Sequence, residues 1–147
     1  MAVTTRQRLE RARRLLTVQE QMRGIAERDL AATRRNLARV EADRAAMLTT
    51  LAGETMHGLF LDAAARRLRA LAGEATQLDA TAARQAGAVR ERGLAEKRTE
   101  RHVEGLATVQ AHERARRAML EQLDLLVARG PAHDGQATVP PTDERGA

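Results

Sequence analysis

The first proline of this 147-residue chain is Pro131, and only Pro140 and Pro141 follow it. Proline is the residue that most reliably stops a helix, because its ring clashes with the preceding turn and it lacks an N–H. About 130 residues can therefore run as helix, with glycine the only interruption. Composition agrees. Apolar residues make up 43% and charged residues 31%, whereas aromatics are 1%, Phe60 alone. Ala, Leu, Arg and Glu dominate, as in long helices and coiled coils. A compact enzyme core normally draws much of its buried area from aromatic rings.

The break in the helical run falls at Leu51-Ala52-Gly53-Glu54-Thr55-Met56-His57-Gly58. Gly53 suits a position just past a helix end, and Thr55 suits a cap. The remaining mid-chain glycines, such as Gly24 and Gly105, are isolated within helical pattern and each costs about 1 kcal/mol against Ala. Helix 1 is expected over about residues 4–52, a turn over about 53–57, and helix 2 over about 58–129. The fold class is all-α: a long antiparallel two-helix coiled-coil hairpin with unequal arms. Residues 131–147 hold all three Pro and almost no apolar side chain. They are expected to form a disordered C-terminal tail.

Helix 1 shows an apolar stripe at Leu15, Val18, Met22, Ala26, Leu30, Thr33, Leu37, Val40, Arg44, Met47 and Leu51. It is a heptad seam with one extra four-residue step near Gly24, a stutter that locally unwinds a coiled coil. Helix 2 carries Leu61, Ala64, Leu68, Leu71, Ala75, Leu78, Ala82, Gln85 and Val89, fades between Arg90 and His102, and resumes at Val103, Leu106 and Val109. A tight turn pairs residue i with about 112 − i, on ~1.5 Å of rise per residue. Helix 2 then exceeds helix 1 beyond about Val109. That excess carries Met119, Leu120, Leu123, Leu125, Leu126 and Val127, which helix 1 cannot bury. A set of this kind calls for another protein or another copy to cover it.

Chemistry is sparse. The chain has no Cys and no Ser, which removes thiolate and serine nucleophiles and Cys-ligated zinc. His57, His102, His112 and His133 are scattered, with no i, i+4 pair for a helical metal site. Carboxylates have arginines nearby: Glu10 with Arg14, Glu96 and Glu100 beside Arg98 and Arg101, and Glu113 with Arg117 are expected i, i+4-type pairs. No acid–base dyad, phosphate loop or enclosed pocket is predicted, so the expectation is no enzyme, no cofactor, no metal and no small-molecule substrate. The N-terminus lacks the apolar core of a signal peptide, and no run suits a membrane span. The expected location is cytoplasmic.

Net charge is +5, with the excess near the N-terminus. Three arginine clusters stand out: Arg11, Arg13 and Arg14; Arg66, Arg67 and Arg69; and Arg114, Arg116 and Arg117. They can meet phosphates or an acidic protein surface, or simply solvate a helix. Nucleic acid is disfavoured because aromatic stacking platforms are missing.

Several stretches resemble the FliJ family of flagellar export proteins and the related stalk proteins of virulence type III secretion. Leu94-Ala95-Glu96-Lys97-Arg98 leading to Val103-Glu104-Gly105-Leu106 is similar to the family's charged segment. Glu113-Arg114-Ala115-Arg116-Arg117 and Glu121-Gln122-Leu123-Asp124-Leu125-Leu126 resemble its closing run. Gly58-Leu59-Phe60-Leu61 resembles the entry to its second helix. The sequence departs from the pattern at the tip, where Phe60 stands alone, and after Asp124, where Leu replaces Glu.

The resemblance implies a non-enzymatic role in flagellum biogenesis and protein export. Such proteins act as a stalk and regulator of the hexameric export ATPase and as escorts for export chaperones. They also contact the membrane-embedded export gate, which places them at the cytoplasmic face of the membrane. Partner contacts are then expected at Arg11, Arg13, Arg14, Arg114, Arg116, Arg117, Leu120, Leu123, Leu126 and Val127. Arg44, Met47, Leu51, Phe60 and Leu68 would form the hairpin tip toward the gate. The alternatives are a generic coiled-coil adaptor or homo-oligomerising scaffold and, behind it, an Arg-rich nucleic-acid-binding protein.

Overall fold

A computed structural model of the chain describes residues 2–53 and 58–131. It holds two helices, α1 (Thr5–Gly53, 49 residues) and α2 (Gly58–Ala128, 71 residues), and no strand among the described residues. The expected turn at residues 54–57 and the expected disordered tail at 132–147 lie outside the described residues.

The start of α1 is written in four residues. Thr4 Oγ1 accepts a hydrogen bond from the Gln7 backbone N–H at 3.2 Å, and Gln7 Oε1 accepts one from the Thr4 N–H at 3.2 Å. This reciprocal capping box satisfies two of the donors a helix start leaves open. At its other end α2 closes through Gly130, at φ 69°, whose N–H donates to the Val127 carbonyl at 3.1 Å. Glycine adopts that left-handed conformation without a Cβ penalty.

The described residues divide into two compact units between Ala107 and Thr108, and α2 runs through both. The first unit is the hairpin. Leu9 and Ala12 pack with Leu106, Val103 and Ala107; Arg23 meets Glu96; Met47 and Leu51 share a recess with Phe60 and Ala64. Rising numbers on α1 meet falling numbers on α2, so the pair is antiparallel. Leu9 and Ala12 cluster with Leu106, and Val103, the expected partner of Leu9, packs against the same cluster.

The seam itself differs from expectation. On α1 the inward residues are Thr5, Leu9, Ala12, Leu16, Gln19, Arg23, Ala26, Leu30, Thr33, Leu37 and Val40, then Met47 and Leu51. The steps alternate strictly between four and three, with the exposed Arg44 standing at the one position skipped. There is no stutter. Leu15 and Val18, expected in the seam, are about half exposed, and Leu16 and Gln19 face α2 instead. On α2 the seam does not fade between Arg90 and His102. Glu96 and Thr99 continue it and are buried, while Leu61 and Val109 are exposed. The Thr99 hydroxyl donates to the Ala95 carbonyl at 3.1 Å, which satisfies a polar group in the seam.

The fully buried side chains are few. Leu9 and Leu71 are the two largest, and Ala12, Leu30, Val40, Ala82 and Leu106 complete the apolar set. Small residues at seam positions make the core thin, so the helices rely on pairing along their length more than on depth.

Candidate partner-binding surfaces

The surfaces expected to bind partners fall into three places, each described by itself. At the hairpin tip, Met47 and Leu51 are half-buried and Phe60 is exposed; with Thr50, Ala63, Ala64 and Arg67 they line an apolar recess of about 380 Å³. Leu68 is half-buried and lies outside that recess, and Arg44 is exposed and lies outside it too. Of the five expected tip residues, three are brought together.

At the start of α1, Arg11, Arg13 and Arg14 are all exposed. Glu10, expected to pair with Arg14, pairs instead with Arg6 at 3.3 Å. Both pairs have i, i+4 spacing, but here the arginine precedes the carboxylate, the order less favoured by the helix dipole. Arg11, Arg13 and Arg14 form no ion pair with a described carboxylate.

In the second unit, every residue from Ala111 to Pro131 except Glu113 is exposed. Arg114, Arg116 and Arg117 lie in this stretch, and Arg117 reaches Glu113 at 3.9 Å, as the spacing predicts. Leu120 and Leu123 are about half exposed, Leu126 63% and Val127 80%. A shallow groove of about 290 Å³ runs between Gln122, Leu125, Leu126 and Arg129. Six large apolar side chains from Met119 to Val127 meet solvent on one stretch of helix. Contiguous apolar exposure of this kind marks interaction surfaces.

The sequence reading missed the polar centre of the hairpin. Arg23 Nε lies 2.9 Å from Glu96 Oε2, and the Glu96 side chain is 8% exposed against 43% for Arg23. The N–H is not aimed along the contact, so the pair is held by charge and not by a linear hydrogen bond. Glu20 and Glu100 bring oxygens within 4.8 Å of those of Glu96. The Arg23 guanidinium supplies a counter-charge to this trio. Glu96 and Glu100 were expected to pair with Arg98 and Arg101 along α2; Glu96 pairs across the hairpin instead, and the Arg98 Nε–H donates to the Leu94 carbonyl at 3.3 Å. The signal was in the spacing: continuing the three–four alternation through Leu71 and Val89 reaches Glu96 and Thr99.

No helix among the described residues is long and apolar enough to cross a membrane. No family model, curated protein or solved structure matches the chain.

Proposed function

We propose that this chain is a non-enzymatic coiled-coil component of the flagellar, type III protein export apparatus. In this reading it serves as stalk and regulator of the hexameric export ATPase and as escort for export chaperones in the cytoplasm. The observation that carries the reading is the exposed aliphatic run of α2, Leu120, Leu123, Leu126 and Val127, on a helix longer than its hairpin partner. A regular helix that displays leucines to solvent is built to be covered by something. Arg114, Arg116 and Arg117 beside it add positive charge suited to acidic side chains on a protein wall. The resemblance of the 113–126 stretch to the export-stalk family supplies the identity of that wall, the central channel of the ATPase ring. The tip recess around Met47, Leu51 and Phe60 is assigned to the membrane-embedded export gate, which draws the protein to the cytoplasmic face of the membrane.

The test is a pull-down from a motile, secreting bacterium with the tagged chain and a Leu120→Gln/Leu123→Gln variant. Both positions are solvent-exposed, so the variant is expected to keep its helical circular dichroism. Recovery of the export ATPase by the wild type, lost in the variant, is the expected result. Recovery of the chain alone, in a concentration-dependent oligomer that the variant dissolves, would replace this reading with that of a self-assembling scaffold.

A further inference from the structure

Leu15, Val18, Met22 and Ile25 follow one another in steps of three, four and three, yet they are not in the seam. Leu15, Val18 and Ile25 are each about half exposed, and Met22 is half-buried. Steps of this kind repeat along one helix face, here the face next to the seam. Met22, Ile25, Ala26 and Asp29 form one wall of a groove whose other wall is Ala88 and Arg92 of α2, with a volume of about 220 Å³. The Arg92 guanidinium reaches across to the Met22 sulfur at 3.5 Å. Ala88 and, one heptad on, Ala95 leave the α2 side low, which lets another helix approach closely.

Charge around this groove is net positive. In the heptad frame of the observed seam, the stretch around the groove carries Arg8 and Arg11 on α1 and Arg84 and Arg98 on α2, against Asp29 and Glu91, while Arg92 falls at a seam position and turns onto this side to meet Met22. None of these five arginines is in an ion pair with a described carboxylate. The opposite side of the same stretch is nearly balanced, with Glu10, Glu20, Glu27, Glu100 and Glu104 against Arg6, Arg13, Arg90 and Lys97, and the Arg6–Glu10 and Arg23–Glu27 pairs form there. Apolar residues at heptad spacing, running into a groove between two helices with a net basic rim, define a recognisable ligand.

We infer that the groove beside Leu15, Val18, Met22 and Ile25 docks an acidic amphipathic helix of another protein, completing a local three-helix bundle. The apolar stripe takes the partner's i, i+3, i+4, i+7 residues, and the arginine rim takes carboxylates flanking them. This surface lies within the first unit and is independent of the leucines of α2 beyond Thr108.

The probe is a synthetic 21-residue helix with Leu at a and d positions and Glu at e and g, beside a twin carrying Lys at e and g. Each is titrated into the full-length chain, read by fluorescence anisotropy and by methyl NMR shifts of Leu15, Val18, Met22 and Ile25. The expected result is saturable binding of the Glu peptide with shifts at those four residues, and at least tenfold weaker binding of the Lys peptide. Leu15→Gln/Ile25→Gln should weaken the Glu peptide at least tenfold while leaving the helical circular dichroism unchanged. Arg11→Glu/Arg84→Glu should reverse the preference toward the Lys peptide. Equal binding of both peptides, shifts confined to other residues, or an unchanged preference in the charge-reversed variant would overturn the inference. So would protection of the same methyls by self-association, or by phosphatidylserine vesicles with which the Glu peptide does not compete.

Discussion

The Arg23–Glu96 pair makes an unequal prediction about its two halves. Deleting either side chain removes the same 2.9 Å contact. What is left behind differs. Without Arg23, a carboxylate 8% exposed stays in the seam, with Glu20 and Glu100 oxygens within 4.8 Å and no guanidinium to offset them. Stripping one partner from a buried pair costs about 3–5 kcal/mol. Arg23 is 43% exposed, so water already screens part of the attraction, and a cost of about 2 kcal/mol is the better figure for Arg23→Ala. Without Glu96, the part-exposed guanidinium keeps Glu27 at 3.9 Å and access to water, and a leucine can fill the seam position. Glu96→Leu should therefore fall within about 1 kcal/mol of the wild type, or stabilise it.

The assay is urea unfolding followed by circular dichroism at 222 nm, with the two single variants and Arg23→Met/Glu96→Leu measured side by side. The double variant should equal or exceed the wild type. Equal losses from the two single variants, or a larger loss from Glu96→Leu, would refute the argument that burial of the carboxylate, and not the attraction itself, sets the cost.

Other outcomes follow from the seam and the caps. Leu9→Ala should cost about 2 kcal/mol, since Leu9 is 2% exposed, whereas Leu15→Ala should stay within about 0.5 kcal/mol; thermal melts of the pair decide the phase of α1. Because the chain has no native cysteine, Leu9→Cys/Leu106→Cys should oxidise to one intramolecular disulfide, seen as a mobility shift on non-reducing gels, and Leu15→Cys/Leu106→Cys should not. A Cβ added at Gly24 or Gly105 meets nothing within 4 Å, so Gly24→Ala and Gly105→Ala should each stabilise by about 0.5–1 kcal/mol in the same melts. Gly130→Ala should instead loosen the end of α2, read as faster amide exchange there, because φ there is +69°.

Large aliphatic residues made much of the fold legible. Leu30, Leu37, Val40, Leu71 and Ala82 fall where the heptad reading puts them, because no rival apolar neighbour competes for the same face. The reading slipped where two candidates are adjacent. Leu15 and Leu16 differ by one position, about 100° around the helix, and following Leu15 shifted every earlier residue and created an apparent stutter. It also failed where the seam turns polar, since a search for apolar residues passes over Gln19, Arg23, Glu96 and Thr99. The exposed leucines of α2 were foreseeable from arm length alone. The groove beside Met22 was not, because the heptad reading places Leu15, Val18 and Met22 in the seam.

A core this shallow has a calorimetric consequence. Seven apolar residues are buried among those described, and two of them are alanines. The heat capacity released on unfolding scales with apolar area exposed, and so does the denaturant slope. Both should sit low for a chain of this length, giving a flat stability curve and a broad melt. A partner helix that covers either exposed stripe would then add a sizeable fraction of the total apolar burial. Binding should sharpen the melt as well as raise its midpoint, and the sharpening measures how much of the core the partner supplies.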